Sequence, residues 1–309
     1  MLVDADYVGF SVDTHPYSLI MISLLLSAFM GDTSSPSTKG GSAGYGRSEE
    51  QVERGRNGLG TVRIENAGGV RTITLARVEK RNALDGGMLE GLTAAFRQTP
   101  PEEERVTVIR AEGSVFCSGL DLRVRDAGTL GAVSIETMLH AIETYPLPVV
   151  AVVQGDAIAG GNELALHCDF VIASTDARFG MSLAKIGLAP TWFLAKKILE
   201  VAGPVGAREM LLLGDLLTSR RMHELGLIAR IAPAAGLEEE ASKIVSRLAA
   251  NAPLSLRAMK AVLVRAMTFR DGVPHDDIDR LVRAAGDSAD AREGIAALLE
   301  RRTAVFKGQ

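Results

Sequence analysis

The sequence predicts an α/β protein that ends in a helical region. Three observations predict it. Between residues 59 and 190, short and nearly continuous apolar runs alternate with amphipathic stretches. Runs of that kind are strands buried on both faces, as in parallel sheets. Two of the runs lead into small, glycine-containing turns, "CSGLD" and "AIAGGNE". From Thr191 onward helical spacing takes over, broken by one short strand candidate.

Order is expected from Leu59. "TVRIENAGGVRTITLAR" alternates on both sides of an Ala-Gly-Gly turn, which predicts a β-hairpin. Met88, Leu89, Leu92 and Phe96 fall at helical spacing in "GGMLEGLTAAFRQ". "VTVIRAE" (106–112) is a strand, and "VSIETMLHAIETY" is an amphipathic helix that ends near Pro146. "PVVAVVQG" (148–155) is a second buried strand, a helix starts at about Gly161, and "DFVIAS" (169–174) is a third strand. "LIARIAP" is the late strand candidate. Residues 59–250 form the expected core. Residues 251–309 form a set of helices expected to cover a partner subunit.

Residues 1–58 differ in kind. "PYSLIMISLLLSAFM" (16–30) is strongly apolar but too short to span a bilayer comfortably. Asp4, Asp6 and Asp13 precede it with no Lys or Arg, whereas a signal peptide needs a positive leading region. The Gly-, Ser- and Thr-rich stretch that follows reads as a flexible linker. The segment is therefore expected to be a disordered extension without stable membrane insertion. A membrane- or partner-docking helix is the other reading.

Composition bounds the function. Hydrophobic residues at 47% and charged residues at 23% suit a soluble globular chain. A net charge of −4 and a pI near 5.8 argue against nucleic acid as a partner. Cys117 and Cys168 lie in apolar surroundings, so buried free thiols in the cytoplasm are expected. No zinc-type Cys/His spacing is present, so no metal is expected. The dinucleotide, P-loop, zinc-protease and nucleophile-elbow motifs are also absent from the sequence.

The two turns carry the chemistry. "RAEGSVFCSGLDL" (110–122) leaves a strand and presents the N–H of Leu120. "QGDAIAGGNELALHCD" (154–169) presents the N–H of Gly160 at a helix start, where the helix dipole adds positive potential. Two amides aimed at one oxygen make an oxyanion hole. Glu163 stands three residues after Gly160 among Ala, Leu and Cys, where an unpaired carboxylate is costly.

Together these segments resemble the enoyl-CoA hydratase/isomerase (crotonase) family. The resemblance runs from about Thr61 to Gln309. It rests on "RNALDGGML" (81–89), "GSVFCSGLDL" (113–122), "PVVAVVQGDAIAGGNELALHCDFVIAS" (148–174), "ARFGMSLAKIGLAP" (177–190) and "DAREGIAALLERR" (290–302), in that order. It implies a spiral of ββα turns with a C-terminal helical oligomerisation region, in a homotrimer or hexamer. It implies an acyl-CoA thioester as substrate and no separate cofactor. The amides at Leu120 and Gly160 would bind the thioester oxygen and stabilise an enolate. Glu163 falls on the first of the two glutamates that hydratases use, and there it would position water and move its proton. The substrate-contacting positions implied are Arg81, Ala83, Ser118, Asp121, Leu122, Leu183, Trp192 and Lys260. Arg81 and Ala83 would lie along the CoA moiety, and Arg81 and Lys260 would reach CoA phosphates unless they are surface charges. Asp121 would mainly hold its loop.

The chain also departs from the pattern. Leu183 stands where the family's second glutamate belongs, in "GMSL" (180–183). Trp192 and Phe193 replace a glycine-rich turn after Pro190 and are expected to crowd the acyl pocket. His167, four residues after Glu163, either orients that carboxylate or is a core histidine. Three functions stay open: a hydratase, dehydratase or isomerase with a single glutamate; a decarboxylase or thioester hydrolase; and a silent acyl-CoA-binding protein.

Overall fold

The computed structural model describes residues 61–121, 133–268 and 272–308. The leading segment, residues 1–58, and Leu122 lie outside the described residues. Strands β1 (Val62–Ala67) and β2 (Val70–Leu75) form the expected hairpin, with Val62 opposite Leu75. Gly68 and Gly69 both have positive φ, at 57° and 79°, as a tight two-residue hairpin turn requires.

Three further strands continue the sheet in parallel: β3 (Val106–Ala111), β5 (Val149–Val153) and β7 (Phe170–Ser174). A short β10 (Arg230–Ala232) pairs with the outer edge of β7. This sheet has the order β1-β2-β3-β5-β7-β10. All five residues of β5 are buried. Val149, Ala151 and Val153 face the main core, which also takes Ile73, Leu75 and Ile109. Val150 and Val152 face the other way, against Leu237, Ala241 and Leu248 of helix α6 (Leu237–Ala250). Helices thus cover both sides, and that is why these strands read as unbroken apolar runs.

After each of β3, β5 and β7 the chain adds a very short strand to a second sheet. These are β4 (Val115–Cys117), β6 (Asp156–Ile158) and β8 (Arg178–Gly180), closed by antiparallel β9 (Leu217–Thr218). A long strand, a short strand and a helix make one turn, and the turns stack as the implied ββα spiral. The helices between them are α1 (Gly86–Arg97), α2 (Ile135–Glu143) and α3 (Gly160–Leu166). Asp85 and Ser134 cap α1 and α2 by accepting from the N–H groups of Met88 and Thr137.

Helices α4 (Trp192–Arg208), α5 (Ser219–Glu224), α6, α7 (Pro253–Met267), α8 (Asp276–Asp287) and α9 (Ala289–Glu300) complete the chain. Helix α9 docks on the 182–187 turn by direct backbone approach. A Cβ on Gly294 would stand 2.5 Å from the Ile186 backbone, so only glycine allows the contact. That docking brings α8 and α9 beside the glycine turns of the spiral.

Candidate active site

Strand β4 ends at Cys117 and runs into Ser118-Gly119-Leu120. Leu84 holds this segment as a parallel bridge partner of Leu120. The Leu84 N–H donates to the Gly119 carbonyl at 2.8 Å, and the Asp121 N–H donates to the Leu84 carbonyl at 2.9 Å. The Ser118 N–H donates to Arg81 at 3.1 Å. Successive N–H groups of an extended segment alternate sides, so the Leu120 N–H points away from Leu84.

Strand β6 leads to the second turn. Ala159 has φ 48° and ψ −115°, an unfavourable region for a residue with a Cβ. Strain of that kind is about 1–3 kcal/mol and collects at functional sites. Two bonds hold it: the Ala159 N–H donates to Gly180 at 2.7 Å, and its carbonyl accepts from the Glu163 N–H at 3.0 Å. The Gly160 N–H, first in α3, is one of the donors that a helix leaves without an internal partner.

The two turns abut. A Cβ on Gly160 would stand 3.4 Å from the Leu120 nitrogen and 2.8 Å from Ile135 Cδ1, and one on Gly119 would stand 3.2 Å from the Gly160 nitrogen. A Cβ on Gly161 would meet the Cys117 carbonyl at 2.2 Å, so α3 packs bare backbone against β4. Leu120 and Gly160 both line a cavity of about 700 Å³. Ser118, Leu183 and Thr191 line it too, and Val282 and Ala297 of the C-terminal helices, with Arg302 just past α9, close it. The geometry is that of two amides flanking a small space at the wall of an acyl-sized cavity.

Glu163 lies one turn into α3 and is fully buried. Neither carboxyl oxygen has a hydrogen-bond partner among the described residues. Burial pushes its pKa well above the usual carboxylate range; the Lys197 charge opposes this and the Glu136 charge adds to it. A buried carboxyl without a partner calls for an explanation, and water or a substrate supplies one. The side chain is enclosed and does not form part of the cavity wall. His167 is a core residue: its Nδ1 lies 2.8 Å from the Glu163 carbonyl but 3.7 Å from the carboxyl. Burial lowers its pKa to about 4, and the ring stacks on Phe193 at 5.3 Å. Cys117 and Cys168 are free and buried, and burial pushes the Cys117 thiol up to about 12.

The other expected site residues divide. Ser118 and Leu183 line the cavity. Arg81 and Ala83 lie on the turn that carries Leu84, where Arg81 has φ 52°. Asp121 accepts from Arg77 at 2.9 Å and so braces the loop.

Two expectations are corrected. Lys260 is not a surface group that reaches a phosphate. It is buried, and its Nζ donates to Asp169 at 2.6 Å and to the Leu147 carbonyl at 3.1 Å. Trp192 and Phe193 do not crowd the cavity, because a helix turns about 100° per residue and carries both rings off its cavity side. Trp192 stacks on His275 at 5.1 Å, while Phe193 packs on His140 and His167. Thr191 and Leu194 face the cavity instead.

The Lys260 result yields a stability prediction. Lys260→Met should destabilise the fold by on the order of 2 kcal/mol. That is below the range for a fully buried pair, because the Asp169 side chain is 26% exposed. It should leave acyl-CoA affinity unchanged. Denaturant unfolding and a binding titration check the two halves, and weakened binding without lost stability would restore the phosphate reading.

Sequence reasoning missed several residues. Asn82 is fully buried and ties its own turn to the β3–β4 connection: its side chain accepts from the Arg77 N–H and donates to the carbonyls of Glu112 and Val115. Arg77 also pairs with Asp85 at 3.2 Å. Glu136, second in α2, lines the cavity, and its carboxyl accepts from the Thr191 hydroxyl at 3.2 Å. In the sequence Glu136 is one polar position on an amphipathic helix, and nothing nearby marks it.

Known proteins resemble the chain over the whole of this site. A family model described as enoyl-CoA hydratase/isomerase matches residues 65–309. A putative enoyl-CoA hydratase of Thermus thermophilus is 34% identical over 258 residues, which cover 79% of this chain and 100% of that one. A 1,2-epoxyphenylacetyl-CoA isomerase of Escherichia coli is 32% identical over 255 residues, 78% of this chain and 96% of that one. The crystal structure of an enoyl-CoA hydratase from Mycobacterium avium subsp. paratuberculosis matches with TM-score 0.70 and 28% identity. It covers 81% of this chain and 100% of its own.

Proposed function

Because the chain belongs to the enoyl-CoA hydratase/isomerase family, we propose that it hydrates or shifts the double bond of an enoyl-CoA thioester, or runs the reverse dehydration. The observation that carries this reading is the pair of abutting turns, which bring the Leu120 and Gly160 amides to one spot on the cavity wall. Preorganised amides of that kind stabilise negative charge as it develops on the thioester oxygen. Charge reaches that oxygen when a nucleophile adds to the β-carbon or a proton leaves the α-carbon. Glu163 lies one turn behind the Gly160 amide and does not itself line the cavity. With its pKa raised by burial, it is suited to giving a proton to the α-carbon through one water and taking it back in the reverse direction. Cavity wall from Leu183, Leu194 and Val282 accommodates an apolar acyl chain.

Turnover tests the reading. Purified protein should bleach the conjugated enoyl absorbance of at least one member of a panel of 2-enoyl-CoAs. It should also form product from 3-enoyl- or 3-hydroxyacyl-CoAs. Tight acyl-CoA binding with no turnover on any of them would favour a binding protein.

The reading extends to assembly. Leu254, Val262 and Leu263 on α7 are each more than 60% exposed, a large apolar surface for a monomer. A homotrimer or hexamer built on α7–α9 covers them. Light scattering should give the mass of three or six chains, and a monomer at micromolar concentration would refute the assembly. Two buried thiols fit a reducing compartment, and the cytoplasm is the location proposed. Among the described residues no helix is long and apolar enough to cross a membrane.

A further inference from the structure

We infer that Glu136 is the second acid/base of this site, standing in for the carboxyl that the chain lacks at Leu183. The inference rests on the hydratase reading above and deepens it. The resemblance gives the water task to Glu163, but its buried carboxyl with a raised pKa suits proton donation instead. Bringing water to the β-carbon and removing its proton then falls to another group, and Leu183 can do neither. Glu136 is a carboxyl in the wall of the same cavity as Leu120, Gly160 and Leu183. The start of α2 touches the oxyanion turn directly, since Ile135 Cδ1 fills the space where a Gly160 Cβ would sit, at 2.8 Å.

Its carboxyl is positioned. Thr191 is the N-cap of α4, a place where a threonine hydroxyl ordinarily bonds its own helix. Here the Thr191 side chain makes no capping bond and donates to Glu136 Oε1 at 3.2 Å. No Lys, Arg or His among the described residues forms an ion pair with Glu136. Glu136 also borders a second groove, of about 560 Å³, with Thr137, His140 and Phe193. Glu136 therefore borders both the cavity and this groove, which offers a route for water. Its charge also adds to the upward shift of the Glu163 pKa.

The step balances. The Glu136 carboxylate takes a proton from water as the water oxygen bonds to the β-carbon. The double-bond electrons move onto the thioester oxygen, held by the Leu120 and Gly160 amides. Glu163 then gives its proton to the α-carbon as the thioester carbonyl re-forms. A proton passes from Glu136 back to Glu163 through water, and the net change is addition of one water.

The test separates water activation from α-carbon chemistry. Hydration of the best 2-enoyl-CoA is measured alongside α-hydrogen exchange of the matching saturated acyl-CoA in D2O. Glu136→Gln should lower kcat for hydration by about 10²–10⁴-fold, with KM within a few-fold and exchange within a few-fold of wild type. Glu136→Asp should recover part of the hydration. Undiminished hydration in Glu136→Gln would overturn the proposal. Loss of hydration and exchange together, with saturated acyl-CoA still bound, would make Glu136 the α-carbon base and overturn it too. Loss of saturated acyl-CoA binding would give Glu136 an architectural role and likewise overturn it. Wild-type protein that hydrates no enoyl-CoA would overturn the functional reading itself, and this proposal with it.

Discussion

Gly160→Ala should fold, assemble and still lose about 10²–10³-fold in kcat, the scale of a lost oxyanion-hole contact. The added methyl would stand 3.4 Å from the Leu120 nitrogen, in the space that the thioester oxygen needs. It would keep the Gly160 N–H but hold the oxygen away from both amides. Folding should survive, because the closest clash, 2.8 Å to Ile135 Cδ1, involves the end of a flexible side chain. Gly161→Ala is the contrasting case. Its methyl would meet the Cys117 carbonyl at 2.2 Å, and backbone cannot swing aside. That variant should lose stability at the upper end of the about 1–3 kcal/mol typical of overpacking. Unfolding curves and steady-state kinetics on the two variants check the pair. A Gly160→Ala enzyme with wild-type kcat would show that the oxygen binds elsewhere.

The contrast also shows what the sequence could carry. Strands β3, β5 and β7 were legible because five or six mostly buried residues leave a largely apolar run, and β2 was legible by its alternation across the hairpin. The second sheet was not, because β4, β6 and β8 have three residues each and β9 has two, too few to show a period. The glycine turns could be read since glycine marks close approach, yet the contact between Gly119 and Gly160 is tertiary. Lys260 and Asp169 are 91 residues apart, so a buried ion pair looked like a solvated charge. Trp192 and Phe193 were placed by adjacency in the chain, when helix rotation decides where they point. Glu136 was hidden for the same reason as Lys260: only folding brings α2 to the Gly160 turn.

The second large effect is at Glu163. Glu163→Gln should lower kcat by about 10²–10⁴-fold and leave acyl-CoA affinity within a few-fold. Glutamine keeps the size and neutral state of the protonated side chain but cannot give up or take back the proton. Stability provides an independent readout. The folded pKa of Glu163 lies above its unfolded value, chiefly through burial. The folded state therefore favours the protonated form. That contribution is complete below the unfolded pKa and disappears as pH rises through the folded one. Glutamine has no proton to lose. Wild type and Glu163→Gln should match in stability at low pH, and the wild type should fall behind as pH increases. Turnover that needs the protonated carboxyl should fall over the same range. Thermal melts and kcat measured across pH on both proteins decide the matter. A Glu163→Gln enzyme that keeps its turnover would move the proton transfer to another group. A wild type that never falls behind with pH would mean that burial does not raise the Glu163 pKa.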